Sequence, residues 1–144
     1  MQLETILEMW RKDCDLDRTE LGEEALKIPT LHSKYYTIFS TERLQLRKLE
    51  QDYKALHKVK IEYYSGSLDY EELKERNWEP CQLKILRQDI PQYVDADKDI
   101  IDINLRLAYQ QEKVDLLDNI IRSLQSRGYN IKCAIDWARF KVGA

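Results

Sequence analysis

The chain has few of the residues that make turns, since only 4 of its 144 residues are glycine and 3 are proline. An all-β fold needs such residues at each of its many turns, so their scarcity favours helices. No apolar run approaches the ~18–20 residues that a membrane-spanning helix requires, and acidic residues interrupt the apolar N-terminal positions where a signal peptide would have none. We therefore expect one all-α domain that does not enter a membrane and stays in the compartment where it is made.

Cysteine and histidine are equally scarce. Cys14, Cys81 and Cys133 lie far apart without any C-x-x-C pair, and His32 and His57 are the only histidines. A closed zinc site needs four ligands, usually at short spacings. The sequence therefore predicts no metal site, and three reduced cysteines in a cytosolic protein.

Motifs that carry chemistry are also absent. The chain has no G-x-S-x-G, G-x-x-x-x-G-K-[ST] or G-x-G-x-x-G, so it lacks local signatures of a nucleophile elbow, a phosphate loop or a dinucleotide site. Residues 95–99 begin like a calcium loop, but Ile100 and Arg106 stand where glycine and glutamate would be needed. We interpret the cluster as an acidic cap for the following helix, and we expect no enzyme activity and no cofactor.

Apolar spacing predicts a short helix over residues 2–12 and a long helix over residues 30–64, a stretch without glycine or proline. Between them, Asp17 is predicted to cap a second helix, and Pro29 to bend or restart it. Gly66 should end the long helix in a left-handed conformation.

The chain after residue 66 consists of two segments that meet at about residue 93. Residues 67–93 are acidic, contain Pro80 and Pro91, and predict one or two short helices with loops. We therefore divide the single domain into an N-terminal part, residues 1–93, which holds the long helix, and a C-terminal part, residues 94–144, whose helices would drive assembly.

The C-terminal part carries the strongest periodic signal. Eight positions follow alternating steps of three and four residues, and seven of them are apolar: Ile100, Ile103, Leu107, Gln110, Val114, Leu117, Ile121 and Leu124. A helix with such a broad apolar stripe must bury it in a bundle or between subunits. Gln110 either fixes the register of this seam or merely reaches its edge.

A helix stop is predicted at Arg127-Gly128, which places a cation in the last turn and a glycine at the cap. A final helix would then present Ile131, Ile135 and Ala138 on one face, with the aromatic rings of Trp137 and Phe140 beside it.

Charge is unevenly spread although the net charge is only −3. Residues 34–64 carry seven basic and four acidic side chains, and residues 122–144 carry five and one. Within the first segment, Lys54, Lys58 and Lys60 precede the paired rings of Tyr63 and Tyr64 at a helix end. Cations that neutralise phosphates and rings that stack on bases are the elements of single-strand binding.

The alternative is that this cluster is a solvated helix face. Glu62 lies one turn after Lys58 and can pair with it, and Tyr63 continues an apolar seam. So few cations would bind a strand weakly in a monomer, whereas an oligomer that repeats them gains avidity.

Four stretches of the chain resemble the UvsY family of recombination mediators from T-even-type phages. They are the start MQLETILEMWRKD, KVKIEYYSG at residues 58–66, DADKDIIDINLRLAY at residues 95–109 and SRGYNIKCAIDWARFKVGA at residues 126–144. The resemblance covers nearly the whole chain, and residues 67–93 diverge most.

The resemblance implies a protein without enzymatic activity that binds single-stranded DNA, a RecA-like phage recombinase and the phage single-strand-binding protein. It implies a ring-like homo-oligomer of about six or seven subunits, assembled through the C-terminal region and acting in the cytoplasm of the infected bacterium. The family's DNA-contacting pair of cations falls on Lys58 and Lys60, where the family has lysine and then arginine. The family's assembly region falls on Ile131, Ile135, Ala138 and Phe140.

Two rival interpretations remain. The protein is a helical adaptor or scaffold oligomer that contacts only proteins, or it is an enzyme whose site is spread over residues without a local motif. Salt-dependent affinity for a single strand separates the first rival from a mediator.

Overall fold

The structure is a computed structural model that describes residues 1–143. It confirms the all-α prediction, because the elements within this range are six α-helices and one 3₁₀ turn. They are α1 (Leu3–Asp13), α2 (Leu21–Leu26), α3 (Ile28–Ser65), α4 (Tyr70–Glu75), the 3₁₀ turn (Arg87–Asp89), α5 (Ile90–Asp95) and α6 (Lys98–Lys141). Across the described residues, none of these helices is both long and apolar enough to span a bilayer.

The chain forms two compact units. One consists of residues 1–44 together with the chain from residue 111 onward, and the other of residues 45–110. Neither unit coincides with the expected parts 1–93 and 94–144, because α3 and α6 are long enough for each to contribute to both units. We call them the terminal unit and the central unit.

The terminal unit packs α1 against the first half of α3 and the second half of α6. The two long helices run antiparallel here, since Glu42 pairs with Lys113 at 3.0 Å while Ile28 lies beside Gly128. Tyr35 is fully buried in this core, and its ring makes a T-shaped contact with that of Trp10, with ring centroids 5.6 Å apart. The other buried members are Ile6, Leu117, Ile120, Ile121 and Leu124.

The central unit packs the C-terminal half of α3 against α5 and the start of α6. Its buried centre consists of Ile90, Val94 and Ile100, against which Tyr53 and Leu56 of α3 pack. The segment 67–93 supplies α4, the 3₁₀ turn and most of α5, which confirms the prediction of short helices joined by loops.

Two predicted helix ends are confirmed. Gly66 follows α3 with a φ of 78°, and the N–H of Ser67 donates to the carbonyl of Glu62 at 3.0 Å. This left-handed cap satisfies carbonyls that the last turn leaves open. At the start of α6, the Asp97 carboxylate accepts the N–H groups of Asp99 at 2.9 Å and Ile100 at 3.3 Å, as the acidic-cap interpretation requires.

The region around α2 differs in detail from its prediction. Asp17 does not cap α2, which begins at Leu21, because its carboxylate accepts the N–H and the hydroxyl of Thr19 in a local turn. Pro29 does restart the helix, since α2 ends at Leu26 and Pro29 is the second residue of α3. Proline needs no N–H partner there.

The predicted helix stop at Arg127-Gly128 is wrong, because α6 continues to Lys141. Arg127 is 5% exposed and continues the buried face of α6, three residues after Leu124 and four before Ile131. Its guanidinium donates to the backbone carbonyl of Asp13 at 2.8 Å, at the C-terminus of α1. The sequence alone does not distinguish a buried arginine that caps another helix from a cation in the last turn of its own helix.

The stripe on α6 is buried as its periodicity predicts. Seven of its eight positions are buried and Leu107 is half-buried. Gln110 is 5% exposed, so it lies inside the seam rather than at its edge.

Candidate nucleic-acid interface

Lys54 and Lys58 lie on the solvent-facing side of α3 in the central unit. Both are exposed, and they are one helical turn apart. The Lys58 side chain is 80% exposed and its Nζ atom lies 3.9 Å from Glu62, at the outer limit of an ion pair. Such an exposed pair contributes little, so the Lys58 ammonium can exchange Glu62 for a phosphate at small cost.

Lys60, the second cation of the predicted DNA-contacting pair, has a different environment from Lys54 and Lys58. Its side chain is 5% exposed, and its Nζ atom lies 3.1 Å from Asp97 and 2.9 Å from Asp99. The same ammonium lies 3.9 Å from the centre of the Trp78 ring, at cation–π distance. In the single chain Lys60 therefore joins α3 to the start of α6.

The two tyrosines also face this buried side. The hydroxyl of Tyr64 donates to Asp97 at 2.6 Å, and that of Tyr63 donates to the carbonyl of Glu79 at 2.6 Å. Burial raises the pKa of both phenols, and for Tyr64 the hydrogen bond to Asp97 raises it further. Both rings are half-buried, so neither projects freely toward a strand: Tyr63 anchors the segment after α4, and Tyr64 anchors the start of α6.

Asp97 is the centre of this arrangement. Burial by itself would raise the pKa of its carboxyl, but hydrogen bonds from Tyr64 and Lys60 outweigh burial and hold that pKa below its ordinary value of 3.8. The carboxylate thus remains charged while one oxygen caps α6 and the other binds the end of α3. We call Lys60, Tyr64 and Asp97 the buried latch, to which the exposed Asp99 adds a second carboxylate for Lys60.

Helical geometry explains why the basic cluster divides into two faces. Side chains two residues apart point in nearly opposite directions, because each residue turns the helix by about 100°. Lys54 and Lys58 share the outer face, whereas Lys60 and Tyr64 share the inner one. The spacing of Lys58 and Lys60 contained this signal, but only the fold supplied the carboxylates that bury Lys60.

An apolar groove of about 500 Å³ adjoins the outer face, and no local pattern of the sequence predicts it. His57, Ile61 and Ser65 of α3 form one wall, and Arg87 and Pro91 contribute to the other. His57 and Ile61 follow Lys54 by three and seven residues, so all three project from the same side of α3. The groove therefore lies beside the two exposed lysines.

The C-terminal end of α6 exposes an aromatic pair in the terminal unit. Trp137 is 60% and Phe140 72% exposed, and their rings stack with centroids 5.5 Å apart. A groove of about 650 Å³ beside them is lined by Trp137, Ala138 and Leu21, among others. Large apolar side chains clustered in this way on a surface are typical of interaction sites.

The predicted assembly residues do not all share this exposure. Ala138 is exposed and Ile135 is 38% exposed, whereas Ile131 is only 3% exposed. Ile131 thus lies within its own chain, because it continues the buried stripe of α6. Tyr129 and Val142, at 71% and 80% exposure, extend the apolar surface beyond the residues that sequence reasoning named.

The three cysteines are free; Cys14 and Cys133 are exposed and Cys81 is half-buried. Within residues 1–143, no three histidine, cysteine or acidic side chains are grouped so that they could hold a metal ion.

Comparison with known proteins places this arrangement in a family. Residues 9–144 match the family model described as "Recombination, repair and ssDNA binding protein UvsY". The chain belongs to the UvsY family. A curated relative, the recombination protein UvsY of Enterobacteria phage T4, is 29% identical over 143 residues, which is 99% of each chain.

The fold agrees with solved UvsY structures along almost the whole chain. The crystal structure of the bacteriophage T4 recombination mediator protein UvsY in lattice type II has a TM-score of 0.86 at 27% identity, covering 99% of each chain. The type IV lattice gives a TM-score of 0.84 at 27% identity, covering 97% of this chain and 99% of that one. UvsY membership makes this an all-α phage-type protein of recombination, repair and single-stranded DNA binding.

Proposed function

We propose that this protein is a recombination mediator that loads a RecA-like phage recombinase onto single-stranded DNA covered by the phage single-strand-binding protein. The result would be assembly of the presynaptic filament for recombination, recombination-dependent replication and repair, in the cytoplasm of the infected bacterium. The observation that carries the proposal is the exposed pair Lys54 and Lys58 in a chain of the UvsY family.

The proposed mechanism is coupled binding rather than catalysis. Phosphates would contact Lys54 and Lys58 directly, because their ammonium groups are exposed and neutralise phosphate with release of counterions. Lys60 and Tyr64 would act from within, since the buried latch fixes the end of α3 near Lys58. Tyr63 would support the same end of α3 through its hydrogen bond to Glu79. A mediator that binds the strand more tightly in one of its two protein-covered states shifts the exchange between the single-strand-binding protein and the recombinase.

Weak contacts of this kind require several subunits. Two exposed lysines hold a strand poorly, whereas a ring-like hexamer or heptamer would present them repeatedly along one strand and gain avidity. The surface we propose for assembly is the exposed end of α6, with Trp137, Phe140, Ile135 and Ala138 in contact with a neighbouring subunit. Ile131 would support that surface from beneath, because it is buried within its own chain.

The test is single-strand affinity as a function of salt for the variant Lys54→Ala/Lys58→Ala. We expect the variant to bind more weakly and with a slope in log K against log salt that is shallower by about 1.4 for each subunit in contact with the strand, since a single strand loses ~0.7 per cation. Lys48→Ala is the matched control, because it removes an exposed lysine of the same helix that points about a third of a turn away from Lys54.

An unchanged slope in the double variant would contradict the assigned contacts. Wild-type protein without any salt-dependent affinity for single strands would instead favour the rival, a helical adaptor oligomer that contacts only proteins. Recombinase loading is then measured separately, as the rate at which the recombinase replaces the binding protein on a strand.

A further inference from the structure

We propose that the apolar groove beside Lys54 and Lys58 is a nucleobase pocket, which receives an unstacked base of the bound single strand. The inference rests on the proposed function, because it assigns to the same DNA site a second and sequence-tolerant contact. The occupant is a base of the strand whose phosphates meet the two lysines.

The groove has the size and lining of a site for a planar apolar ligand. Its volume of about 500 Å³ lies within the range of ~300–1,000 Å³ typical of small-molecule sites. Most of its wall is aliphatic, from Ile61, Ile85, Ile90, Pro91 and Val94. A base gains by burying its faces on such a surface.

Two polar planes complete the lining. His57 contributes an imidazole ring that packs against Tyr53 at 5.5 Å, and Arg87 contributes an exposed guanidinium. Histidine rings and arginine planes are among the groups on which proteins stack unpaired bases. Both therefore suit a base better than they suit a purely aliphatic occupant.

The charge around the groove favours an anionic partner, such as a nucleic-acid strand, over a cationic one. None of the eight described residues that line it is acidic, while Arg87 lies in its wall and Lys54 and Lys58 share its side of α3. A base in the groove therefore leaves its own phosphates next to cations, which is the combination used by single-strand-binding surfaces.

Helix geometry allows one strand to make the phosphate contacts and the base contact at the same time. Lys54, Lys58, Ile61 and Ser65 are spaced by four, three and four residues, so they form a single stripe on α3. A strand that follows this stripe meets cations first and the apolar wall one turn later. A base must leave the stack to enter the groove. In a duplex this would break a base pair, whereas in a single strand it does not.

The experiment compares two strands of equal length and charge, oligothymidylate and an oligomer of abasic sites, by fluorescence anisotropy with full-length protein. We expect wild-type protein to bind oligothymidylate at least about fivefold more tightly, since base contacts add to the shared phosphate contacts. Ile61→Asn should bring that ratio close to one, because it places an amide in the apolar wall.

Leu44→Asn is the matched control, since it makes the same change at an apolar residue of α3 that is 63% exposed and lies outside the groove. It should leave the ratio unchanged. Ile61 is itself 40% exposed, so its variant is expected to fold, and thermal melting verifies this before binding is measured. Arg87→Gln should lower the ratio more than Lys84→Gln, which removes an equal charge from the same segment.

The outcomes separate the inference from the function on which it rests. Equal affinity of wild-type protein for both strands, with salt dependence intact, would overturn the pocket and leave the DNA-binding function standing. A ratio that survives Ile61→Asn would place the base contacts elsewhere, or assign the groove to a protein side chain, and would also overturn it. Failure of both strands to bind would remove the proposed function itself.

Discussion

Lys60 and Asp97 form a buried ion pair, with 3.1 Å between Nζ and the nearer carboxylate oxygen, and this pair joins the end of α3 to the start of α6 in the central unit. The other oxygen of Asp97 caps α6, so a single carboxylate both begins one long helix and holds the end of another. Lys60 thus holds the end of α3 to the start of α6 on the side of the helix opposite to the exposed Lys58.

The first prediction concerns the stability of this pair. Lys60→Ala should lower the free energy of unfolding by about 3–5 kcal/mol, because it leaves Asp97 buried without its main cation. Lys58→Ala, which removes an exposed lysine two residues away, should change it by about 0.5 kcal/mol or less. Urea unfolding followed by circular dichroism measures both. Equal midpoints for the two variants would contradict the buried latch.

The second prediction concerns acid stability. The pKa of Asp97 is lowered in the fold, so its charged form stabilises the protein above the ordinary pKa of 3.8, and that stability is lost as pH falls through the lowered value. Asp97→Asn should therefore be less stable than wild type at neutral pH, and the difference should shrink below about pH 4.

Asparagine keeps an oxygen that can still cap α6, so this variant isolates the effect of the charge. Asp95→Asn, at an exposed position two residues earlier, is its control and should leave the pH profile unchanged. If the unfolding free energies of wild type and Asp97→Asn differed by the same amount at pH 7 and at pH 3, the Asp97 charge would not contribute as we argue.

The third prediction tests the continuity of α6 through Gly128. A Cβ at this position would meet only the Ile28 side chain, at an ordinary contact distance of 3.9 Å. Gly128→Ala should therefore stabilise the protein by about 0.5–1 kcal/mol, as expected in a helix interior.

Gly66→Ala should have the opposite sign, because a φ of 78° strains any residue with a side chain. Thermal melting of the two alanine variants compares them directly. If Gly128→Ala destabilised the protein as Gly66→Ala does, α6 would end at Gly128, as the sequence had suggested.

The fourth prediction concerns self-assembly. Trp137→Ser with Phe140→Ser should shift the protein toward smaller species in sedimentation velocity, because it removes the exposed aromatic pair at the end of α6. Tyr70→Ser, at a residue that is 74% exposed in α4, is the control and should leave the distribution unchanged. Point variants are preferable to truncation before Tyr129, which would also remove the buried Ile131. An unaltered distribution in the double variant would exclude this surface.

Much of the fold was predictable because periodicity is a local property of the chain. The spacing of the stripe from Ile100 to Leu124 identified α6, and the absence of glycine and proline identified α3. Gly66 and Asp97 were recognised as helix ends because their conformational and hydrogen-bonding preferences act on the nearest backbone groups.

Two positions were predicted wrongly, one because its partner is distant in the chain and the other because a local hydrogen bond competes with the predicted one. Arg127 resembles a helix terminus until the carbonyl of Asp13 is seen beside it, 114 residues away. The spacing of Asp17 would allow it to cap α2, but its carboxylate instead accepts hydrogen bonds from its near neighbour Thr19.

The sequence by itself determined the helical class, the long helices, their apolar faces and the presence of a cationic cluster near the end of α3. Only the tertiary structure decided which cations of that cluster meet solvent, because Asp97 and Asp99 come from 37 and 39 residues further along the chain to bury Lys60. The same reason holds for the groove beside Lys58. Its two walls belong to segments that no local spacing relates, and burial and pairing are properties of their packing.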